Sequence, residues 1–484
     1  MKTFPRWRSV LEVTILIGED RNTNTTHFYV TMVKRALEYD NVGKKRPKTI
    51  VSRVDWTGLP LEVIALILSF DDVVHRPMAG LTCKAFRNAS LVCSGRTWMK
   101  CCDAALYGWL SVLQWLRKHD CPWDKWTCMA AAYGGHLEVL QWARGQSPPC
   151  PWSTSSCELA AEGGHLEVLQ WVREHGCPWD EDTCSAAAAG GHLEVLQWAR
   201  EHGCPWDEDT CKEAAGGGHL EVLQWLREHG CPWDEWICRA AAQGGHLEVL
   251  QWAREHGCPW DGGTCKAAAG GGHLEMLQWA REHDCPWNEG TCEGAAEEGH
   301  LEVLQWAREH GCPWDWRTCY AAAGGGHLEV LQWAREHGCP WGGGTCSAAA
   351  GGGHLEMLQW LREQSPPCPW NVWTCLAAAG GGHLEVLQWA REHGCPWSLS
   401  TCAAAARGGH LEVLQWAREH RCPWDGETCE AAAEGGHLKV LQWAREQTPP
   451  CPWDWRVCRG AAVCGNTEIL HWAKENGCDS AGLW

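Results

Sequence analysis

Thr183–Asp209 reads TCSAAAAGGHLEVLQWAREHGCPWDED, and this stretch decides the fold because it recurs along most of the chain. A threonine suited to helix capping precedes an alanine-rich segment with high helix propensity. Gly190-Gly191 end that segment and turn the chain. A second helix, LEVLQWAREH, opens after His192; Gly203 stops it and Pro205 keeps it from resuming. In this second helix Leu193, Leu196 and Ala199 form one apolar face, and Val195 and Trp198 another. A helix apolar on two sides needs cover on both, so a single unit cannot fold alone.

The register follows from the QW tryptophans. They stand at 115, 142, 171, 198, 225, 252, 279, 306, 333, 360, 389, 416 and 443, with HW at 472, which makes fourteen units. Steps are 27 residues, except for three of 29 where SPPCPW or TPPCPW replaces HGCPW. Composition carries the same signature, with 37 Trp, 54 Gly and 32 Cys beside 5 Tyr and 4 Phe. These observations predict an all-α helix-turn-helix solenoid over residues 98–484, with no sheet between units.

The string T-x-x-x-A-A-x-x-G-H-L-E-V-L-x-x-x-x-E-H-G resembles the ankyrin repeat, whose units read TPLHLAA, GHLEVV and LLLEHGA. Two departures matter: this unit is shorter than the 33-residue ankyrin unit, and Cys takes the place of the Pro in TP and the Ala in GA. The resemblance implies ankyrin-like helical layers with a short Trp-Pro loop where the β-hairpin finger would be. It also implies a concave face built from the loops and first helices.

Upstream, Leu59–Phe86 reads LPLEVIALILSFDDVVHRPMAGLTCKAF. It resembles the F-box, LPxEvLxxIlSFLxxxDLxxxxxVCKxW. Leu59, Pro60, Glu62, Val63, Ile67, Leu68, Ser69 and Phe70 match, and Cys83-Lys84 fall at the expected distance. Asp71, His75-Arg76 and Pro77 depart from the pattern. The resemblance implies a three-helix module over 56–97 that docks on the adaptor subunit of cullin-RING ubiquitin ligases. Leu59, Pro60, Val63, Ile67, Leu68 and Phe70 would be its contact residues. The alternative is a hydrophobic cap for the first layer, which a repeat array also needs.

Residues 1–55 read as a poorly structured basic segment. Residues 1–50 hold ten Lys/Arg against five Asp/Glu, so a net charge of −19 leaves −24 for the rest. An acidic solenoid repels phosphate backbones, and nucleic acid is not an expected partner. No apolar run reaches the length of a membrane span. The opening MKTFPRWRSVLEVTILIG imitates a signal peptide, but Glu12 interrupts it and no clear cleavage site follows. KKRPK (Lys44–Lys48) reads as a solvated linker or a nuclear-import signal. The expectation is a monomer in the cytoplasm, with the nucleus as the alternative.

His202, Cys204 and Cys211, with His192 nearby, have the donor types of a zinc site. Gln146, Gln364 and Gln447 replace that histidine in the three longer units; glutamine is a poor zinc ligand but keeps a hydrogen bond. The cysteines therefore read as small packed residues, reduced and metal-free, with no cofactor. A disulfide across the loop would need an oxidising compartment. The QW and PW tryptophans read as a structural ladder. No nucleophile has a catalytic setting, and no enzyme is expected.

Variation between units marks the face free to meet a partner. After CPW the triplets run DKW, STS, DED, DED, DEW, DGG, NEG, DWR, GGG, NVW, SLS, DGE and DWR, and positions after the TC pair vary too. Trp126, Trp236, Trp316, Arg317, Trp373, Trp455 and Arg456 are the candidate target contacts, since Trp and Arg dominate interface hot spots. Together with the F-box-like segment this predicts a substrate receptor of a ubiquitin ligase; an interaction scaffold without ubiquitin chemistry is the second reading and a metal-binding repeat protein the third.

Overall fold

The computed structural model describes the backbone of residues 10–19, 26–39 and 45–55, and residues 100–118 and 120–478. The F-box-like module at 56–97, with Leu59, Pro60, Val63, Ile67, Leu68 and Phe70, lies outside the described residues. The chain divides into two compact units, Met1–Thr210 and Cys211–Trp484.

Where a poorly structured segment is expected, the first unit holds three strands, β1 (Val10–Glu19), β2 (Thr26–Tyr39) and β3 (Lys45–Asp55). They form an antiparallel sheet in the order β1-β2-β3, with Val10 opposite Arg35 and Tyr29 opposite Asp55. Runs such as VLEVTILIG and TIVSRV are rich in β-branched residues, and that preference outweighs the basic composition.

The repeat region is all-helical among its described residues, with 28 helices in fourteen pairs. Layers are numbered 1 to 14 here by the tryptophans given above. The first unit holds layers 1–4 and the second layers 6–14; the boundary falls inside the first helix of layer 5, Glu208–Gly216.

Layer 4 shows how the sequence makes a layer. Its helices are Glu181–Ala189 and Leu193–Glu201. The N-cap position is Asp180, whose side chain makes no cap bond in this layer, and not Thr183, which sits in the first turn and is fully buried. The same position caps other layers: Asp124, Asp234, Asp261, Asn288, Asp315, Asn371, Asp425 and Asp454 accept from the N–H two residues on. A capping carboxylate or amide satisfies an N–H that the helix leaves unbonded. So the first residue after CPW is restricted by capping, and only the next two are free.

The threonine hydroxyl is bonded in some layers only: Thr210 and Thr401 accept from the N–H of the cap residue, Asp207 and Ser398. Oγ1 of Thr264 is buried without a hydrogen-bond partner. Ile237 and Val457 fill the same position, equally buried. Thr264→Val therefore removes an unsatisfied group at nearly constant volume. We expect the denaturation midpoint to hold or rise; a loss of 1 kcal/mol or more would show that the hydroxyl is bonded.

Both helices end in a left-handed glycine. Gly191 (φ +73°) follows the first, and the His192 N–H returns to Ala187 O at 2.9 Å. Gly203 (φ +81°) follows the second, and the Cys204 N–H returns to Ala199 O at 2.9 Å. The longer units make the same closure with two more residues, as in Cys150 N–H to Ala143 O at 3.1 Å.

The two glycines are not equivalent. A Cβ on Gly164 would lie 2.5 Å from the His192 ring of the next layer, whereas one on Gly176 would meet nothing within 4 Å. The chain's own variation agrees: Asp120, Asp284 and Arg421 occupy the Gly176-type position with φ of 59°, 60° and 64°. We therefore expect Gly176→Ala to cost about 1–2 kcal/mol, the left-handed strain alone. Gly164→Ala should cost clearly more in the same denaturation experiment, because strain and clash combine. Equal losses would contradict this account of stacking.

His192 explains the clash. Its Nε2 donates to Glu162 O at 3.0 Å, the last carbonyl of the preceding layer's first helix. His165 to Tyr133 O and His410 to Gly380 O repeat the bond. These histidines thus cap the neighbouring layer's helix. Within the layer, Val195, Leu196 and Ala199 are buried, while Leu193 and Trp198 are half-buried. Cys184, Ala187, Ala188 and Cys204 complete a core of small side chains, which lets adjacent helices approach closely.

Candidate functional site: the first-helix face

The part of the unit that recurs in every layer is occupied in stacking. The ring of Trp179 meets Trp198 of the next layer edge-on, at 5.9 Å between centroids. Trp198 stacks on His202 at 4.3 Å, and the Arg200 guanidinium lies 3.9 Å over Trp206. A cation over an indole face is attractive, and the same arginine also donates to Cys204 O at 2.6 Å. The two repeated tryptophans are thus a ladder joined by His and Arg.

His202 Nδ1 donates to Trp198 O at 2.8 Å. In the longer units the glutamine replaces it bond for bond: Gln146 Nε2 to Trp142 O at 3.1 Å, Gln364 to Trp360 O at 3.0 Å, Gln447 to Trp443 O at 2.9 Å. The residue's work is this hydrogen bond. Among the described residues no three of His, Cys, Asp or Glu gather where a metal ion could be held.

The cysteines pair within layers rather than across the CPW loop. Cys157 and Cys177, from the first helix and the end of the second, are hydrogen-bonded neighbours. Cys177 Sγ also donates to Ser153 O at 3.3 Å. The partner thiol, and then burial, push Cys157 up, which keeps it protonated. A buried, protonated thiol is a packing group and not a nucleophile.

The variable positions lie elsewhere, at the start and along the outer side of each first helix. Trp126, Trp236, Trp316, Trp373 and Trp455 are 56, 51, 48, 61 and 36% exposed. Trp126, Trp236 and Trp373 take the second helical position, Trp316 and Trp455 the first. A cap residue fixes each helix start: Asn371 Oδ1 accepts from the Trp373 N–H at 3.0 Å, for example.

The two candidate arginines differ. Arg317 lies 6.0 Å from the Trp316 ring and 3.8 Å from Asp315. Arg456 is held harder: Asp454 accepts from its Nε at 3.1 Å and its Nη2 at 2.9 Å, and Glu430 lies 3.7 Å away. Arg456 in turn holds the Asp454 carboxyl below the usual carboxylate range. Arg459, which the sequence reading did not select, is the guanidinium nearest the Trp455 ring, at 5.2 Å.

Other exposed apolar side chains on this face also escaped the sequence reading: Tyr133, Tyr320 and Leu399. Their signal was the variation after TC, and in Leu399 the middle position of the SLS triplet. Two open clefts mark the face. One of about 820 Å³ in the first unit is lined by Trp126, Met129, Tyr133 and Leu159. The other, about 410 Å³ in the second, is lined by Trp236, Arg239, Lys266 and Glu297. Ion pairs cross between layers here, Arg239 with Asp261 and Arg407 with Glu434.

Stacked helix pairs, glycine turns and a variable outer face define an ankyrin-type helical-repeat solenoid, a fold suited to protein binding. The family model for ankyrin repeats (many copies) matches residues 211–254. No curated protein matches the chain. Among solved structures, the pentatricopeptide repeat protein PPR10 in complex with an 18-nt psaJ RNA element is 14% identical; the match covers 88% of this chain and 73% of that one, with a TM-score of 0.31. The human ASB11 ankyrin repeat domain is 18% identical, over 32% of this chain and 84% of that one, with a TM-score of 0.27. Values this low transfer no property to the chain.

Proposed function

We propose that the protein binds another protein through the first-helix face and presents it as the substrate receptor of a cullin-RING ubiquitin ligase. The observation that carries the binding half is the exposure of five tryptophans, all at the starts of first helices, in an array whose other tryptophans serve stacking. An exposed indole loses much unfavourable hydration on docking, which is why Trp marks hot spots. The ligase half rests on the match of Leu59, Pro60, Val63, Ile67, Leu68 and Phe70 to the F-box pattern. The mechanism is proximity: a bound target stays at high effective concentration beside the ligase.

The protein performs no chemistry itself. In support, the repeated histidines donate to carbonyls, and thiols such as Cys157 are buried against a partner thiol. Reduced buried thiols and a ubiquitin role both suit the cytoplasm or nucleus. The reading takes the protein as a monomer, since its tandem layers stack on one another.

The test is affinity capture with full-length protein, wild type against a chain in which Trp126, Trp236, Trp316, Trp373 and Trp455 are alanine. The wild type should retain a specific protein, and the variant should lose it while keeping its helical circular dichroism. Retention by the variant would place the binding face elsewhere.

A further inference from the structure

The longer units differ from the others at the second helix. In units of ordinary length an imidazole stacks on the QW tryptophan, as His337 does on Trp333 and His420 on Trp416, both at 4.3 Å between centroids. Gln364 and Gln447 keep the histidine's hydrogen bond to the tryptophan carbonyl but bring no ring. At these two units the structure contains open clefts, about 410 Å³ against Trp360 and about 490 Å³ against Trp443. Small-molecule sites span roughly 300–1,000 Å³.

The two clefts share one lining, position for position. Trp341 meets Trp360 edge-on at 6.0 Å, and Trp424 meets Trp443 edge-on at 6.0 Å. The Arg335 guanidinium lies 4.0 Å over Trp341, and that of Arg418 lies 4.2 Å over Trp424. Arg335 is fixed there by donating to Cys339 O at 2.7 Å. A glutamine and a glutamate of the same second helix complete each lining, Gln332 with Glu336 and Gln415 with Glu419. A hydroxyl joins them, from Ser365 in one cleft and Thr448 in the other. The third longer unit repeats the pattern in sequence, with Lys118 in the place of the glutamate.

This lining selects a ligand by charge and by shape. A cation such as a methylated lysine side chain needs several open aromatic faces. Here Arg335 already lies over Trp341 and repels a second cation. An anion meets Glu336 and a chain of net charge −19. The ligand that fits is neutral, with one flat apolar face for the indole and a rim that both donates and accepts hydrogen bonds. A pyranose sugar has both features. Its axial C–H groups are weakly positive and suit the negative face of an indole. Its equatorial hydroxyls match the glutamine amides, which donate and accept, the glutamate, which accepts, and the Ser or Thr hydroxyl, which does both.

We propose that the clefts at Trp360 and Trp443 are carbohydrate-binding sites, each taking a neutral pyranose with its C–H face on the indole. They stand on second helices, so the proposal does not depend on protein binding at the first-helix face.

The test is saturation-transfer difference NMR on the full chain, with cellobiose, maltose, lactose and chitobiose as probes at millimolar concentration. Sorbitol, which has the hydroxyls without the flat ring, and adenosine, which is flat and neutral without being a sugar ring alone, are the controls. Two variants test the site. Gln364→His with Gln447→His returns the imidazole that other layers stack on this tryptophan. Glu336→Gln with Glu419→Gln removes the carboxylates at exposed positions, where the fold does not depend on them.

At least one disaccharide should show transfer, strongest at the ring C–H protons of one face, and sorbitol should show none. Either double variant should lower the transfer at least threefold with unchanged circular dichroism. No transfer to any of the four disaccharides overturns the proposal, as does equal transfer to sorbitol or unchanged transfer in both variants. Stronger transfer to adenosine than to every sugar also overturns it and makes the cleft a nucleoside site.

Discussion

Replacing Trp316, Trp373 or Trp455 singly by alanine should weaken binding of the captured partner by roughly 30-fold or more. Truncating a buried interface tryptophan typically costs about 2 kcal/mol or more, and about 1.4 kcal/mol is tenfold. Trp373 should be the most affected, because it is the most exposed of the three and has the most surface to bury. Trp455 should be the least affected, being only 36% exposed with Arg459 already over its ring. Stability should barely change, since no layer contact depends on these rings. Calorimetric titration and thermal melts of each variant check this. A variant that melts far earlier with unchanged affinity would return that tryptophan to the core.

The second large effect concerns the other end of the chain. Leu59→Ala with Pro60→Ala should abolish association with the cullin-ligase adaptor while leaving target capture and helical content intact. The F-box resemblance places both residues among the adaptor contacts, and loss of two central apolar anchors removes more than a small interface can spare. Copurification of the adaptor with wild type and variant decides the point. If the wild type never retains the adaptor, the protein is an interaction scaffold. Its solenoid would then bind partners without delivering them to a ligase.

Much of the fold was legible because the chain repeats it. The GG and HGCP turns fix both helix ends, and the 27-residue period with its three steps of 29 fixes the register. The Gln-for-His exchange foretold the hydrogen bond that the structure contains. What the sequence concealed is what stacking creates. Thr183 looked like the cap because threonine caps helices well, but the helix starts earlier, at Asp180, and its neighbours bury the threonine. The thiol partner of Cys177 is Cys157, within one layer, and no spacing along the chain distinguishes that from a partner across the loop. His192 reads as a helix start; that it caps the preceding layer's helix is a three-dimensional fact.

At the candidate site, the five tryptophans stood out because they interrupt otherwise small or acidic triplets. Tyr320 and Leu399 did not, since one tyrosine or leucine after a repeated core is unremarkable until its exposure is known. Arg456 looked like a free guanidinium, and Asp454 and Glu430 turn out to hold it. The strands β1, β2 and β3 were missed because charge was weighed above β-branched content.

The measurement that tests the central claim most directly is hydroxyl-radical footprinting of the full chain with and without its captured partner. Modification should fall at Trp126, Trp236, Trp316, Trp373 or Trp455 and at neighbouring first-helix positions such as Tyr320. It should stay unchanged at the histidines and tryptophans of the second helices, such as His337 and Trp333. Protection confined to the second helices, with the five tryptophans as reactive as in the free protein, would contradict the account.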